Sequence, residues 1–203
     1  MKTLIVKYLP SGERSNTKKL LDLYIKELGD RPYEVVDLLK EPLPFFTEES
    51  MAAYGKRNYA GLSLSEKEKQ SLLEHDRLAK QLKSADVVVM AYPMHNFGMP
   101  GVVKTYFDAV MLHGETFKMG EKMMAGKKAL TLYTAGGLYT PDIANLQYPN
   151  WDTLSLNAKI NFTFMGFDEA EVIATSLRDP SLADGRLIEA DQKIRALTSR
   201  WYK

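Results

Sequence analysis

SADVVVMAYPMHNFGMPGVVKTYFDAV, residues 84–110, decides the fold. Its run of valines and methionine is apolar without alternation, the pattern of a strand buried on both faces. Helical spacing begins only at Pro100. The sequence therefore predicts a strand over 86–92 and a helix over 100–112, joined by a turn at 93–99. A plain strand-to-helix joint is short and polar. This one holds Pro93, Met94, His95, Asn96 and Phe97, bulky side chains placed to touch something.

Outward from that unit the chain alternates strand and helix. Toward the N-terminus, 3–6 reads as a short apolar strand. Residues 15–28 read as a helix, with Leu20, Leu21, Tyr24 and Leu28 at helical spacing. A second strand follows at 33–38. The stretch 39–64 is irregular, with Pro42, Pro44, Gly55 and Gly61, and it is too long for a plain connector. It should be functional or packed against a partner. A helix over 65–83 opens on Ser65-Glu66-Lys67-Glu68, the form of a capping box. Toward the C-terminus come a strand at 127–134, a helix at 151–165, a strand at 170–175 and a helix at 181–201.

Five strands with intervening helices define an α/β protein with a parallel sheet covered on both faces. Right-handed crossovers make the flavodoxin-like order 2-1-3-4-5 the natural one. No repeat, low-complexity segment or boundary interrupts residues 1–203, so a single domain is expected.

Composition narrows the function. With 203 residues and 45% hydrophobic content the chain can bury a full core. A formal net charge of +1, with both signs interleaved, argues against nucleic acid as a partner. No apolar run approaches the ~20 residues of a membrane span. Leu4 to Val6 is too short for a signal peptide. The expectation is a cytoplasmic protein. The absence of cysteine excludes disulfides and thiolate metal sites, and His75, His95 and His113 show no ligand spacing, so no metal is expected.

In the 2-1-3 arrangement ligands bind beyond the carboxyl ends of strands one and three. Three loops converge there. The first, 9–17, leads into a helix whose N-terminus attracts anions. Ser11, Ser15, Asn16 and Thr17 add polar donors, and Gly12 permits close approach. It lacks G-x-x-x-x-G-K-[ST] and G-x-G-x-x-G, so a monophosphate fits better than a nucleoside triphosphate or dinucleotide. Glu13 would repel a phosphate unless it turns to solvent or pairs with Arg14. The second loop is Pro93 to Pro100. The third, Thr134-Ala135-Gly136-Gly137-Leu138-Tyr139, carries a glycine pair that lets a flat ligand lie against backbone. Together they point to a phosphate-bearing planar aromatic ligand.

At these residues the sequence resembles the FMN-dependent NADH-azoreductases and NAD(P)H-quinone oxidoreductases. The match runs through Pro93, Met94, Asn96, Phe97, Pro100, Lys104, Tyr106, Phe107 and Asp108, through Gly12 to Thr17, and from Gly126-Lys127-Lys128 to Gly136-Gly137. The resemblance implies FMN, with Ser11, Ser15, Asn16 and Thr17 at its phosphate. Pro93 to Phe97 would lie along the ring edge, and Thr134 to Gly137 at the pyrimidine end. It implies hydride transfer from NADH or NADPH to flavin N5, then two-electron reduction of a quinone or azo compound, in ping-pong order and with no catalytic side chain. Phe117 and Tyr139 would line the substrate pocket, with Tyr54 or Tyr59 reaching over from a partner chain. Leu9, His95 and Tyr139 depart from the family pattern. A homodimer is also implied. The helix at 151–165 carries one apolar stripe, Trp151, Leu154, Ala158, Phe162 and Met165, and a second, Leu156, Ile160 and Phe164. The alternatives are an NAD(P)H-dependent FMN reductase that releases reduced flavin, a flavodoxin-type electron carrier, and a flavin- or quinone-sensing module without turnover. The balanced charge speaks against the carrier, which docks through an acidic face.

Overall fold

The computed structural model describes residues 1–137, 139 and 151–203. Its sheet has five parallel strands: β1 (Thr3–Lys7), β2 (Tyr33–Asp37), β3 (Val87–Ala91), β4 (Lys128–Thr134) and β5 (Glu169–Thr175), in the order β2-β1-β3-β4-β5. Ile5 sits level with Val35 on one side and Val89 on the other, and Val89 with Leu130. That register places the ends of β1 and β3 at the same height, where strand order reverses.

Alternate residues of each strand feed two cores. Ile5, Val87, Val89, Leu130 and Leu132 pack with Leu20, Leu21 and Tyr24 of α1 (Asn16–Leu28) and with Ile194, Leu197 and Trp201 of α6 (Pro180–Trp201). Leu4, Val6, Val88 and Met90 face the other way. They meet α3 (Glu66–Ser84), α4 (Gly101–Val110) and α5 (Thr153–Met165) through Leu78, Leu82, Tyr106, Phe107 and Phe162. The β3 run is buried at every residue because helices cover both of its faces.

Local chemistry sets the helix starts. Ser15 caps α1 by accepting from the Lys18 N–H. Ser65 and Glu68 form the expected reciprocal box at the start of α3. Asp152 caps α5 and Asp179 caps α6, with Pro180 in the first turn.

The stretch 39–64 is less irregular than its sequence suggests. It contains α2 (Glu48–Tyr54), boxed by Thr47 and Ser50, which runs directly into a π-helical turn, Gly55–Tyr59. Its partner is its own chain. Ala53 and Tyr54 bury against Leu72 and Ala79 of α3 and Leu112, with Phe46 and Leu64 at the margin. Tyr54 and Tyr59 both make contacts inside their own chain. Tyr54 is 8% exposed, and its hydroxyl accepts from the His113 N–H at 2.8 Å. Burial pushes its phenol up to about 12, so it stays protonated. Tyr59 is exposed on one side but stacks on the His113 ring, 4.4 Å between centroids. His75 belongs to the same layer. It is 1% exposed against Phe46, and burial holds its pKa below the ordinary histidine value.

Candidate nucleotide cleft

A cleft of about 380 Å³ opens beyond the carboxyl ends of β1, β3, β4 and β5. Pro10, Ser11, Arg14, Ser15 and Asn16 line it from the first loop, Pro93, Met94 and His95 from the second, and Thr134, Ala135 and Gly136 from the third. Arg178 closes it from the loop after β5. Nine residues expected to meet a ligand thus share one wall: Ser11, Ser15, Asn16, Pro93, Met94, His95, Thr134, Ala135 and Gly136.

The anion-facing end is the start of α1. Because Ser15 Oγ accepts from Lys18, its O–H remains available to donate. The first-turn N–H groups of Asn16 and Thr17 lack carbonyl partners inside the helix, and Asn16 lines the cleft. Glu13 points outward. It pairs with Lys18 at 3.5 Å rather than with Arg14, and its side chain is 89% exposed. Thr17 has a different task from its neighbours. It is fully buried, and its hydroxyl lies 2.7 Å from the Thr134 hydroxyl. That bond ties α1 to the end of β4, contributing about 1 kcal/mol and fixing two of the three loops relative to each other.

The flat end is built on a tight turn. His95 and Gly98 exchange backbone hydrogen bonds of 3.0 and 2.9 Å. Between them Asn96 and Phe97 both take positive φ, 47° and 66°. This is the type I′ geometry, for which Asn-Gly is the favoured pair. Phenylalanine in the left-handed region costs roughly 1 kcal/mol or more. Three contacts hold it there. The Thr153 hydroxyl donates to the Phe97 carbonyl, and the Phe97 ring meets Trp151 edge-on at 4.8 Å and Tyr139 at 5.5 Å. The loop is anchored upstream by the Met94 N–H donating to the Thr134 carbonyl at 2.9 Å. The N–H groups of Asn96 and Phe97 have no backbone partner among the described residues, so they can donate to a ligand.

Asn96, Phe97 and Gly137 stand just outside the cleft lining. At Gly137 an added Cβ would lie 3.2 Å from the Tyr139 ring, so this glycine admits Tyr139. Phe117 lies elsewhere, half-buried between His113 and Phe164, with centroid distances of 5.7 and 5.1 Å. Two arginines escaped the sequence reading: Arg178 altogether, and Arg14 except as a possible partner for Glu13. The rule that ligands gather beyond strand ends applies to β5 too, and would have found Arg178. Among the described residues no group of three or more His, Asp or Glu side chains could hold a metal ion. No helix among them is long and apolar enough to cross a membrane.

Fold and cleft define an open, doubly wound α/β protein with a cleft at its topological switch point. The chain belongs to the family described as flavodoxin-like fold, whose match spans residues 1–198. It is 36% identical over 149 residues to an FMN-dependent NADH:quinone oxidoreductase of Haemophilus influenzae (strain PittEE), covering 71% of this chain and 74% of that protein. A protein of the same name from Yersinia pestis (strain Pestoides F) is 30% identical over 157 residues, covering 73% and 76%. Among solved structures, the FMN-dependent NADH-azoreductase from Bacillus anthracis in complex with FMN superposes with a TM-score of 0.81. Its identity is 24% and coverage is complete on both sides, a likeness of fold.

Proposed function

We propose that this chain is an FMN-dependent oxidoreductase that passes two electrons from NADH or NADPH to a quinone or an azo compound. The observation that carries the reading is the cleft itself. One end presents hydroxyls, a helix N-terminus and arginines. The other presents strand-end backbone, and at its margin stands a strained turn with two available N–H donors. A phosphate-bearing flavin matches both ends. Bound FMN supplies the two-electron redox chemistry. Ser11, Ser15 and Asn16 would hold its phosphate, with Thr17 fixing the loop from behind. Pro93, Met94, His95, Asn96 and Phe97 would support one edge of the ring, and Thr134, Ala135, Gly136 and Gly137 the other. Donor and acceptor would use one open face in turn, which gives ping-pong kinetics.

The protein should take up one FMN per chain, and its NADH oxidation should be driven by an added quinone or azo acceptor. Stripping the flavin should abolish turnover, and FMN should restore it. Quinone-dependent NADH oxidation that persists at full rate without flavin would sink the reading.

We also propose a homodimer assembled through the outer face of α5. Leu154, Ala158, Phe162 and Met165 are buried inward, whereas Leu156, Ile160 and Phe164 are 63%, 53% and 44% exposed. Three large apolar side chains on one helical stripe form a contiguous patch of the kind that marks an interface. Phe117 touches Phe164, so it would stand at the edge of that interface, where a substrate pocket completed by two chains would form. Phe117→Ala should shift KM for a quinone and an azo dye unequally, by about 1–2 kcal/mol of transition-state binding for the more affected acceptor. FMN content should stay the same. Kinetic parameters unchanged for both acceptors would remove Phe117 from the pocket.

A further inference from the structure

The chain has eight arginines, and six are engaged. Arg57 grips Asp76 with two bonds, Arg77 pairs with Glu74, Arg195 with Asp191 and Arg200 with Glu169. Arg186 donates to the Ser176 carbonyl, and Arg31 to the Leu28 carbonyl. Only Arg14 and Arg178 make no side-chain hydrogen bond or ion pair among the described residues, and both line the same cleft. They reach it from distant parts of the sequence. Arg14 ends the 3-10 turn Gly12–Arg14 before α1, and Arg178 follows β5.

The carboxylates beside them in sequence are occupied elsewhere. Glu13 pairs with Lys18. Asp179 accepts from the Ser181 hydroxyl and N–H at 2.7 and 2.9 Å, bonds that also hold its carboxyl below the usual range. Two uncompensated guanidinium groups and the positive end of α1 thus gather at one mouth of a chain whose net charge is only +1. Like charges brought together are unfavourable unless an anion joins them. Guanidinium is the cation whose planar fork matches phosphate oxygens in pairs.

Building on the FMN reading above, we infer that Arg178, together with Arg14, selects the dianionic phosphate monoester of the flavin over the unphosphorylated flavin. The serine hydroxyls and first-turn N–H groups alone would bind a phosphate through neutral donors. Two arginines add a charge match to a group that carries close to two negative charges above its second pKa, about 6. Selection should therefore depend on charge and be screened by salt.

The test is flavin-fluorescence titration of the flavin-stripped protein with FMN and with riboflavin. Wild type, Arg178→Gln and Arg178→Lys would be compared at about 0.01 M and about 1 M ionic strength, where the screening length falls from ~30 to ~3 Å. Both substitutions fall on an exposed loop and leave the core untouched. At low salt Arg178→Gln should weaken FMN about ten-fold, the loss of one charge-assisted contact, and leave riboflavin within about two-fold. Arg178→Lys should fall between, keeping the charge and losing the fork. High salt should shrink the gap between wild type and Arg178→Gln. An unchanged FMN-to-riboflavin ratio in Arg178→Gln overturns the role of Arg178 and leaves the FMN site standing. A wild type that binds both flavins equally overturns the phosphate site itself.

Discussion

Gly166→Ala should destabilise the fold by about 3 kcal/mol, the combined effect of a left-handed alanine and overpacking against rigid backbone. Gly166 ends α5 at φ 91° and ψ 23°. A Cβ there would lie 2.5 Å from Lys122 Cα and 2.9 Å from its carbonyl carbon. Backbone cannot yield as a side-chain tip can, and the Met124 N–H donates to the Met165 carbonyl at 3.1 Å, locking the same two segments. Gly185, inside α6, is the control, because an added Cβ meets nothing within 4 Å. Gly185→Ala should raise stability by about 0.5–1 kcal/mol through helix propensity and a less flexible unfolded chain. Urea unfolding of both variants decides the matter: midpoints that move in the same direction would contradict the packing described at Lys122.

Ile160→Asp should convert the proposed dimer to monomers at micromolar concentration. Ile160 is 53% exposed in the single chain, so aspartate there costs the monomer little. In an apolar interface the unpaired carboxylate would cost several kcal/mol, enough to weaken association by about a hundred-fold or more. If the acceptor pocket needs both chains, turnover of quinone should fall with the dimer while bound FMN is retained. Light scattering and flavin absorbance on one sample separate the two effects. A variant with wild-type mass would show that α5 faces water, and the outer stripe would then need another explanation.

Much of the architecture is legible in the sequence because its causes are local. The unbroken apolar run of β3, the Ser65–Glu68 box and the helical spacing of Leu20, Leu21, Tyr24 and Leu28 each signal structure within a few residues, and strand order then follows from handedness. The loops of the cleft are legible for the same reason, since each sits directly after a strand. What escapes depends on distance. The short helix α2 has too few turns for periodicity to show, and its apolar side is defined by Leu72, Ala79 and Leu112. Glu13 meets Lys18 across the first turn of α1 rather than the adjacent Arg14, a choice made by backbone direction. Thr17 turns inward because its partner, Thr134, is far along the chain. Arg178 reaches the cleft only after β5 takes its place at the sheet edge. Leu138 lies outside the described residues.

The turn at Asn96 and Phe97 sets two kinds of selection against each other. Glycine at 97 would relax the backbone at once, so a lineage selected only for thermal robustness would drift toward it. The same change would delete the ring that braces Trp151 and Tyr139 beside the cleft. A survey of variants at this position should therefore show an inverse trade, with the hardiest proteins among the poorest catalysts. Retention of a bulky aromatic there would be a signature that turnover, rather than durability, has governed this corner of the molecule.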